Sequence, residues 1–318
     1  MPRASLAALG AAIIVTFFLT NGCAPPALPP AAEILAGLNA VILDPGRSCE
    51  EMRSHFGLEN LPLANNPADL GIAYEEFELS TPAGEVLRTW YVPAPRERGV
   101  IVVSNGSTGA MQCYLHGVWL LTQMGWTVVT YDYTGFGGSS GVASLDTLIP
   151  DLETVVAWAL VHTGQSQVTL LGVSLGTMPS VAVAVRYPER VNAVVLDSPV
   201  ALGDEIERYG GLLRLPVVEI IRAVDPALIS ENTIAALDQP LLMFVHGRDR
   251  VTPPGPARKI YERAPGPKEL VEFPGLSHGM GQYLATEQYV NGIEPFLARV
   301  WEVPAIAWRY VPAETTTR

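Results

Sequence analysis

The sequence predicts an α/β fold built on a mainly parallel, doubly wound sheet. Short apolar runs rich in β-branched residues alternate along the chain with longer segments of helical periodicity, the order that parallel strands and crossover helices produce. Some of these runs, such as Gly99–Val103, are apolar throughout, as strands buried on both faces are. With 318 residues, 48% of them hydrophobic, the chain suits one large domain of this class or two small ones.

The elements follow in chain order. A short amphipathic helix is predicted over Glu33–Ile42, and a hairpin of Ala73–Leu79 and Glu85–Val92 surrounds the turn Ser80–Gly84. The other predicted strands are Gly99–Val103, Trp126–Tyr131, Gln167–Val173, Val191–Leu196, Leu241–Val245 and Glu269–Phe273. The other predicted helices are Tyr114–Met124, Leu145–Val161, Leu175–Tyr187, Ala257–Arg263 and Thr286–Trp301. Residues 199–238 fit no strand and predict a small helical, cap-like insertion after the sixth strand.

The first residues predict export. Arg3 precedes the apolar stretch Leu6–Leu19, which matches the core of a signal peptide and is short for a membrane span of about 20 residues. The end of the stretch, Leu19-Thr-Asn-Gly-Cys23, resembles a bacterial lipobox, with Leu19 one place further from Cys23 than the usual pattern sets it. We therefore expect lipidation of Cys23 and anchoring in a bacterial cell envelope; a plain secretory signal and an uncleaved anchor are the alternatives.

The chain divides on these grounds into five parts. Residues 1–22 are the expected signal peptide, and residues 23–32 are a proline-rich tether, because proline runs are stiff and extended. An N-terminal helical segment is expected over 33–69, the α/β domain over 70–302 and a C-terminal tail over 303–318.

Charge and cysteine content exclude several classes of partner. The net charge of −12 gives no basic face for nucleic acid and no polybasic membrane patch. Beyond Cys23, only Cys49 and Cys113 remain, and two cysteines lack the spacing of a zinc site. In an exported protein they either form a disulfide or stay as two buried thiols. Nothing in the sequence indicates the oligomeric state.

Ser174 is the candidate nucleophile. It lies between a predicted strand and a predicted helix, flanked by Gly172 and Gly176. A sharp turn at this junction lifts the hydroxyl above the sheet, and glycines on either side relieve the crowding that such a turn causes. The alternative is a serine that caps the helix N-terminus.

A serine hydroxyl needs a base and an acid that orients the base. His278 is the candidate base, because it follows the last predicted strand in a glycine-flanked loop. Asp249 is the candidate acid, because its loop follows Ser174 in the chain and precedes His278; Asp197, after the Val191 strand, competes with it. The other histidines, which are His55, His116, His162 and His246, are predicted to be structural, with His116 able to line the site and His246 holding the acid loop.

An oxyanion needs two donors. The predicted donors are the backbone N–H groups of Leu175, at the helix start, and of Ser107, in the loop after the Gly99 strand.

These motifs resemble those of the α/β-hydrolase superfamily. The matching segments are Gly172-Val-Ser-Leu-Gly176, His246-Gly-Arg-Asp249 with Val251-Thr-Pro253, Leu276-Ser-His278 and Tyr131-Asp-Tyr-Thr-Gly-Phe-Gly-Gly-Ser139. The resemblance covers about residues 70–302 and is nearest to compact branches with little lid, which include members similar to acyl-protein thioesterases and to serine aminopeptidases. Those branches usually have His-Gly-Asn where this chain has Asn105-Gly106-Ser107, and often arginine in place of Thr134.

The resemblance implies hydrolysis of a carboxyl ester, thioester or amide and does not choose among them. Together with the expected export, the leading hypothesis is an exported serine hydrolase that cleaves a carboxyl ester or thioester of a small-molecule or acyl substrate and needs no cofactor. Two alternatives stay open. A serine aminopeptidase would need an acidic pocket for an amine, for which Glu205 and Glu207 are candidates. A non-catalytic binding protein would keep the fold without the activity.

Overall fold

The computed structural model describes residues 30–59, 61, 64–213 and 215–307. Within them, eight strands form one sheet in the order β1-β2-β4-β3-β5-β6-β7-β8. The strands are β1 (Glu75–Ser80), β2 (Val86–Val92), β3 (Val100–Ser104), β4 (Thr127–Tyr131), β5 (Val168–Val173), β6 (Val191–Asp197), β7 (Leu241–His246) and β8 (Lys268–Phe273). Strands β3 to β8 pair in parallel, whereas β2 pairs antiparallel with both β1 and β4. Only the predicted hairpin therefore departs from a parallel sheet.

Helices connect the parallel strands. They are α1 (Ala31–Ile42), α2 (Cys49–Phe56), α3 (Leu115–Gln123), α4 (Leu148–Thr163), α5 (Thr177–Arg186), α6 (Leu202–Leu213), α7 (Val217–Ala223), α8 (Ser230–Thr233), α9 (Pro254–Arg263), α10 (Gly281–Leu284) and α11 (Thr286–Val300). Short 3-10 turns precede three of them, at Met111–Tyr114, Leu145–Thr147 and Ser174–Gly176. The predicted helix starts at Tyr114, Leu145 and Leu175 fall in these turns, because apolar spacing does not distinguish a 3-10 turn from a first helical turn.

The sheet is covered on both faces. On one face, Leu152 of α4 and Val181 of α5 are fully buried in one apolar layer. On the other face, Leu120 of α3 and Ile293 of α11 are fully buried in a second layer. All five residues of β3 and all five of β4 are buried between them. The continuous apolar runs in the sequence reflect this burial on two sides.

Residues 199–238 contain the helices α6, α7 and α8 between β6 and β7. Their apolar side chains Ile206, Ile220 and Leu228 join the apolar layer of α4 and α5. Helix α1 packs against α7 from outside. The insertion is thus part of the main core rather than a separate lid.

The N-terminal segment crosses from one face of the sheet to the other. Ile34 and Leu38 of α1 pack on the layer of α4 and α5, whereas Ala64 and Ile72 belong to the layer of α3 and α11. Between them, residues 43–58 pass the carboxyl edge of the sheet; we call these residues the strap. Cys49 of the strap and Cys113 form a disulfide, which settles the alternative left open by the sequence.

Several predictions fall outside the described residues, namely the signal peptide, Cys23, most of the tether and residues 308–318. Among the helices that the structure does describe, none combines the length and the apolar character that a membrane crossing requires. The start of the C-terminal tail is attached to the domain, because Arg98 donates to the Pro304 carbonyl at 2.6 Å and the Ile306 N–H donates to Glu294 at 3.0 Å.

Candidate active site

The predicted side chains gather at the carboxyl edge of the sheet. Ser174 directly follows β5, Asp249 lies in the loop after β7 and His278 lies in the loop after β8. Because β5, β6, β7 and β8 are successive neighbours and run parallel, these loops open onto the same edge. Ligands bind at this edge in open parallel sheets.

Ser174 occupies a tight turn between β5 and α5. Its φ of 50° lies in the left-handed region, which residues with a Cβ rarely adopt. A Cβ on Gly172 would crowd the backbone of Gly176, and a Cβ on Gly176 would overlap the carbonyl oxygen of Ser104 in β3. The two glycines therefore let the turn lie directly against β3, as the sequence motif requires. Ser174 itself is 8% exposed.

His278 is paired with Asp249. Its Nδ1 lies 2.7 Å from Asp249 Oδ2. The other carboxylate oxygen accepts the backbone N–H groups of Val251 and Thr252, both at 2.8 Å. Burial alone would raise the pKa of Asp249, but the bonds from His278 and Thr252 hold the pKa below its usual value. An ionised Asp249 fixes the Nδ1–H tautomer of His278 and leaves Nε2 free to act as a base.

The structure distinguishes the two candidate acids. Asp197, at the end of β6, is fully buried. Its Oδ1 lies 3.2 Å from the Ser198 hydroxyl and 3.7 Å from Nδ1 of His246. Within the described residues Asp197 forms no hydrogen bond with His278, so Asp249 is the acid at the His278 ring.

No described residue forms a hydrogen bond with the Ser174 hydroxyl. Ser174 and His278 thus share the edge without being bonded to each other. Hydrogen bonds between catalytic groups are often long before substrate binds. Gly279, beside His278, has a left-handed φ, a backbone conformation that glycine adopts without strain.

Buried hydrogen bonds anchor the loop after β3. Asn105 is buried, and its side-chain amide donates to the Thr130 hydroxyl at 3.0 Å. Its backbone carbonyl accepts a hydrogen bond from the Tyr133 hydroxyl at 2.8 Å. Asp132 accepts the Met111 N–H at 2.6 Å and so fixes the far end of the loop. Asn105, which stands where the related branches have histidine, therefore anchors the loop.

The two predicted oxyanion donors belong to the turn into α5 and to the loop after β3. Leu175 begins the turn into α5, where the first N–H groups have no partner within the helix. Ser107 lies in the loop after β3, and its carbonyl accepts the Asp44 N–H of the strap at 2.8 Å. The elbow and the loop meet where Gly176 abuts Ser104. Leu175 is therefore next to Ser174 in the chain, and Ser107 follows the Ser104 contact by three residues.

A second polar cluster lies under the His278 loop. The Ser198 hydroxyl is 3.0 Å from Nδ1 of His246 and accepts the Gly279 N–H at 3.0 Å. Nε2 of His246 accepts the Gly281 N–H at 2.9 Å, so Nδ1 carries the proton and donates to Ser198. Ser198 then donates to Asp197 at 3.2 Å. This chain of bonds holds the backbone on both sides of Met280, next to His278.

Burial determines the charge of this cluster. His246 is 1% exposed, and burial lowers its pKa despite the neighbouring carboxylates, so that the ring stays neutral. Burial likewise raises the pKa of Asp197. The cluster is closed to solvent, and within the described residues Asp197 Oδ2 is its one side-chain atom without a hydrogen-bond partner. The His246 side chain fixes the His278 loop, and its backbone carbonyl accepts the Asp249 N–H at 3.2 Å, so His246 also contacts the acid loop, as the sequence predicted.

Thr252 joins the two loops. Its hydroxyl lies 2.8 Å from Asp249 Oδ2, 3.2 Å from the Ser198 carbonyl and 3.2 Å from Nδ1 of His278. Neither Thr252 nor Ser198 is predicted from the sequence to have a role. Each had a local signal, since Ser198 follows a parallel strand as Ser174 does, and Thr252 lies three residues after an aspartate that forms a turn.

Within the described residues, His116 and His162 form no hydrogen bond or ring contact with Asp249 or His278, whereas the ring of His55 lies 4.9 Å from that of Phe56, which in turn lies 6.4 Å from His278. His116 Nε2 is 3.0 Å from the Gln282 carbonyl, and the ring stacks on Tyr283 at 4.8 Å. His162 stacks on Trp158 at 4.4 Å. Thr134, the second departure from the related branches, bonds Asp151 through both its N–H and its hydroxyl. These residues stabilise the elements that carry them.

Glu205 of α6 is an acidic residue of the insertion whose charge interacts with that of the candidate acid, Asp249. Burial raises its pKa to about 8, and the negative charges of Glu231 and Asp249 add to the shift. Its carboxyl is therefore neutral at pH 7. Glu207, the other predicted acidic candidate, is exposed. Within the described residues, no group of three or more His, Cys, Asp or Glu is placed to hold a metal ion.

A family model described as "Serine aminopeptidase, S33" matches residues 95–215. The match includes the elbow at Ser174 and the loop after β3, and it ends before Asp249 and His278. Among curated proteins, an uncharacterized protein of Mycobacterium tuberculosis is 28% identical over 232 residues, 71% of this chain and 79% of that protein. Alpha/beta hydrolase domain-containing protein 17C of Xenopus tropicalis is 29% identical over 240 residues, 71% of this chain and 70% of that protein.

Solved structures show the same fold. The esterase Pf2001 of Pyrococcus furiosus superposes with a TM-score of 0.63 at 19% identity and covers 81% of this chain and 98% of that one. The predicted fold class is thereby confirmed: the chain has the α/β-hydrolase fold. Over part of its length, the chain is thus similar to a serine aminopeptidase family model and to an alpha/beta hydrolase domain-containing protein, and its fold is similar to that of an esterase.

Proposed function

We propose that the protein is a serine hydrolase that cleaves a carboxyl ester or thioester through an acyl-enzyme intermediate. One observation carries the proposal most directly. An unbonded serine hydroxyl on a left-handed turn, at Ser174, shares a sheet edge with a histidine that is already bonded to a buried aspartate, His278 with Asp249. A hydroxyl in this position gains a nucleophile's reactivity only from such a base.

The first half of the reaction acylates the enzyme. Ser174 Oγ attacks the acyl carbonyl while His278 Nε2 takes the hydroxyl proton. The carbonyl oxygen becomes an oxyanion, which the N–H groups of Leu175 and Ser107 stabilise. When the tetrahedral intermediate collapses, the bond to the leaving group breaks and His278 gives it the proton. Asp249 stays ionised and supports the imidazolium.

The second half releases the acid. Water loses a proton to His278 and attacks the ester carbonyl on Ser174. The new intermediate collapses with return of the proton to Ser174 Oγ, and the carboxylic acid leaves. No group beyond these side chains and water enters the balance.

An ester or thioester fits the site better than a peptide with a free amine. The Pyrococcus furiosus neighbour is titled an esterase. A free amine would require an ionised carboxylate, yet burial raises the pKa of Glu205 to about 8, so its carboxyl is neutral at pH 7 before any amine binds. The description of the matching family model keeps aminopeptidase activity as the second candidate.

Export and lipid anchoring belong to the same proposal. The segment ending at Cys23 supports them, and so does the Cys49–Cys113 disulfide, since structural disulfides persist in oxidising compartments outside the cytosol. In a bacterial host fed a labelled fatty acid, the wild-type protein should carry label and fractionate with membranes. The Cys23→Ser variant should do neither; a labelled Cys23→Ser variant would contradict anchoring at this residue.

Hydrolysis of p-nitrophenyl esters, acyl thioesters and aminoacyl-p-nitroanilides tests the catalytic proposal. We expect turnover of esters or thioesters by the wild-type protein and a loss of at least about 10³-fold in Ser174→Ala, because the nucleophile is removed. The variant should melt at the wild-type temperature. Turnover retained by Ser174→Ala would contradict the mechanism, and cleavage of the anilides alone would favour the aminopeptidase.

A further inference from the structure

The strap is bonded to the loop that carries a proposed oxyanion donor. The Asp44 N–H donates to the Ser107 carbonyl at 2.8 Å, and the Gly109 N–H donates to the Asp44 carbonyl at 3.0 Å. Asp44 and Thr108 thereby form a parallel bridge. The strap pairs with residues 107–109 as a short added strand would, on the side away from the Asn105 anchor. The loop is therefore held from both sides.

The disulfide reinforces this pairing. Cys49 lies in the strap, and Cys113 lies in the turn that follows the loop; their Cα atoms are 4.9 Å apart. Gly109 fits between them with φ of 71°, and a Cβ there would approach both the Arg47 carbonyl and the Cys113 sulfur at 2.9 Å. Strap, loop and disulfide thus form one tightly packed layer in which only glycine fits at position 109.

The strap also reaches the candidate base. Phe56, the last residue of α2, is partly buried, and its ring centroid lies 6.4 Å from that of His278 with an angle of 26° between the planes. Helix α2 is rigidly terminated, by the capping box of Ser48 and Glu51 at its start and by Gly57 in the left-handed conformation at its end. The position of Phe56 is therefore fixed relative to Cys49.

Little apolar burial holds α2 in place. Met52 is the buried residue of this helix, whereas Glu50, Ser54 and His55 are exposed. Burial of one side chain supplies only part of the free energy that orders eight residues. The covalent link through Cys49 therefore adds to the burial of Met52 and Leu58 as a restraint on the helix and, through it, on Phe56.

From these contacts we propose that the strap is a positioning element of the active site whose action depends on the Cys49–Cys113 disulfide. It fixes the loop of Ser107 for oxyanion stabilisation, and it places Phe56 as a wall of the substrate entrance beside His278. The inference rests on the proposed serine-hydrolase function. It makes the hydrolase active in oxidising surroundings and impaired when the disulfide is reduced.

Reduction of the full-length protein tests the first part. We expect a phosphine reductant to lower kcat for a p-nitrophenyl ester at least about tenfold with less than threefold change in KM, because a misplaced oxyanion donor costs transition-state stabilisation rather than binding. The Cys49→Ala/Cys113→Ala variant should show the same low kcat and no response to reductant. A reduced protein that stays folded by circular dichroism and keeps kcat within twofold overturns the proposal, since the disulfide is then only a stabilising crosslink.

A readout independent of activity separates the two proposals. Amide hydrogen exchange of residues 105–113 should become faster on reduction, while exchange in β5 and β6 stays unchanged. If the oxidised wild type cleaves no ester, the proposed function fails and hydrogen exchange still decides whether the strap restrains the loop. Unchanged exchange in this loop contradicts the positioning role whatever the activity.

Two further variants leave both cysteines in place. Gly109→Ala inserts a Cβ between strap and loop and should lower kcat as reduction does. Phe56→Ala should change the relative kcat/KM of short and long acyl esters at least about fivefold, because a wall of the entrance is removed. Ser54→Ala, an exposed change on the same helix, is the matched control. An unchanged chain-length profile in Phe56→Ala would remove Phe56 from the entrance.

Discussion

Two serines follow neighbouring parallel strands, and the protein uses them in opposite ways. Ser174 after β5 and Ser198 after β6 both adopt left-handed backbone conformations, with φ of 50° and 56°. Both are nearly buried, at 8% and 2% exposure. The Ser174 hydroxyl has no hydrogen-bond partner among the described residues, whereas the Ser198 hydroxyl bonds Asp197, His246 and the Gly279 N–H.

The difference shows that a strained turn does not by itself make a nucleophile. The turn presents a hydroxyl at the sheet edge, and the histidine beside that hydroxyl determines whether a base is available to it. Ser198 sits beside a histidine whose second nitrogen is already bonded to Gly281, so that ring has no free base position. Among the described residues, His278 is bonded on its Nδ1 side alone, by Asp249 and Thr252. The same residue types thus form the proposed reactive group in one place and a bonded cluster that fixes the His278 loop in the other.

The largest expected effect comes from replacing Asp249 with asparagine, and the matched change at Asp197 should have a much smaller effect. Asp249→Asn should lower kcat by about 10³–10⁴-fold, because an amide no longer selects the reactive tautomer of His278. Asp197→Asn should cost less than about tenfold, since Asp197 does not bond the reacting histidine. Ester hydrolysis measured on both variants checks this. Equal losses would mean that the two clusters are not separate in function.

Ser198→Ala should have a smaller effect, and mainly on stability. It leaves the buried Nδ1–H of His246 and the Gly279 N–H without their acceptor, which costs about 1–3 kcal/mol of unfolding free energy. Urea denaturation measures the loss, and kcat should fall less than tenfold. Ser198→Gly relieves the left-handed strain without restoring the hydroxyl. If Ser198→Gly were as stable as the wild type, strain rather than bonding would dominate at this position.

The smallest expected effect concerns Glu205, whose charge interacts with that of Asp249, the acid paired with His278. Its pKa is raised from 4.5 to about 8, so the folded protein holds a proton that the unfolded chain loses as pH rises above 4.5. This contribution to stability is present at low pH and is lost as pH rises through 8. Glu205→Gln should therefore raise the melting temperature at pH 9 and leave it unchanged at pH 5.

Water reaches the partly exposed Glu205, so the gain at pH 9 should be on the order of 1 kcal/mol, or about 2–4 °C. Differential scanning fluorimetry at the two pH values measures it. Glu207→Gln, an exposed change on the same helix, should have no effect at either pH. A Glu205→Gln variant that is destabilised at pH 9 would show that the ionised carboxylate has a partner at high pH.

Local patterns predicted most of the fold. Continuous apolar runs identified the buried strands, and glycines around Ser174 identified the elbow, because both depend on neighbouring residues in the chain. Helix starts were less accurate, as at Leu145, where a 3-10 turn precedes α4. The Cys49–Cys113 disulfide could not be deduced, since it depends on the path of the strap across the sheet edge.

The candidate site was likewise predictable in part from local sequence patterns, whereas other features of it depend on the fold. Strand ends and chain order select Ser174, Asp249 and His278 in the sequence. Only the folded structure shows that Asp249 rather than Asp197 reaches the His278 ring. The anchoring role of Asn105 depends on Thr130 of the next strand, a contact that no local pattern encodes. Phe56 lies more than two hundred residues before His278 in the chain and meets it only through the fold.

Mapping the residue that a fluorophosphonate modifies tests the central claim most directly. The oxidised wild-type protein is treated with the reagent, digested and analysed by mass spectrometry. We expect one phosphonylated serine, Ser174, and an unmodified Ser198, with labelling lost in Ser174→Ala and retained in Ser198→Gly. A folded protein that is not labelled, or is labelled at a serine other than Ser174, would contradict the assignment of Ser174 as an activated nucleophile.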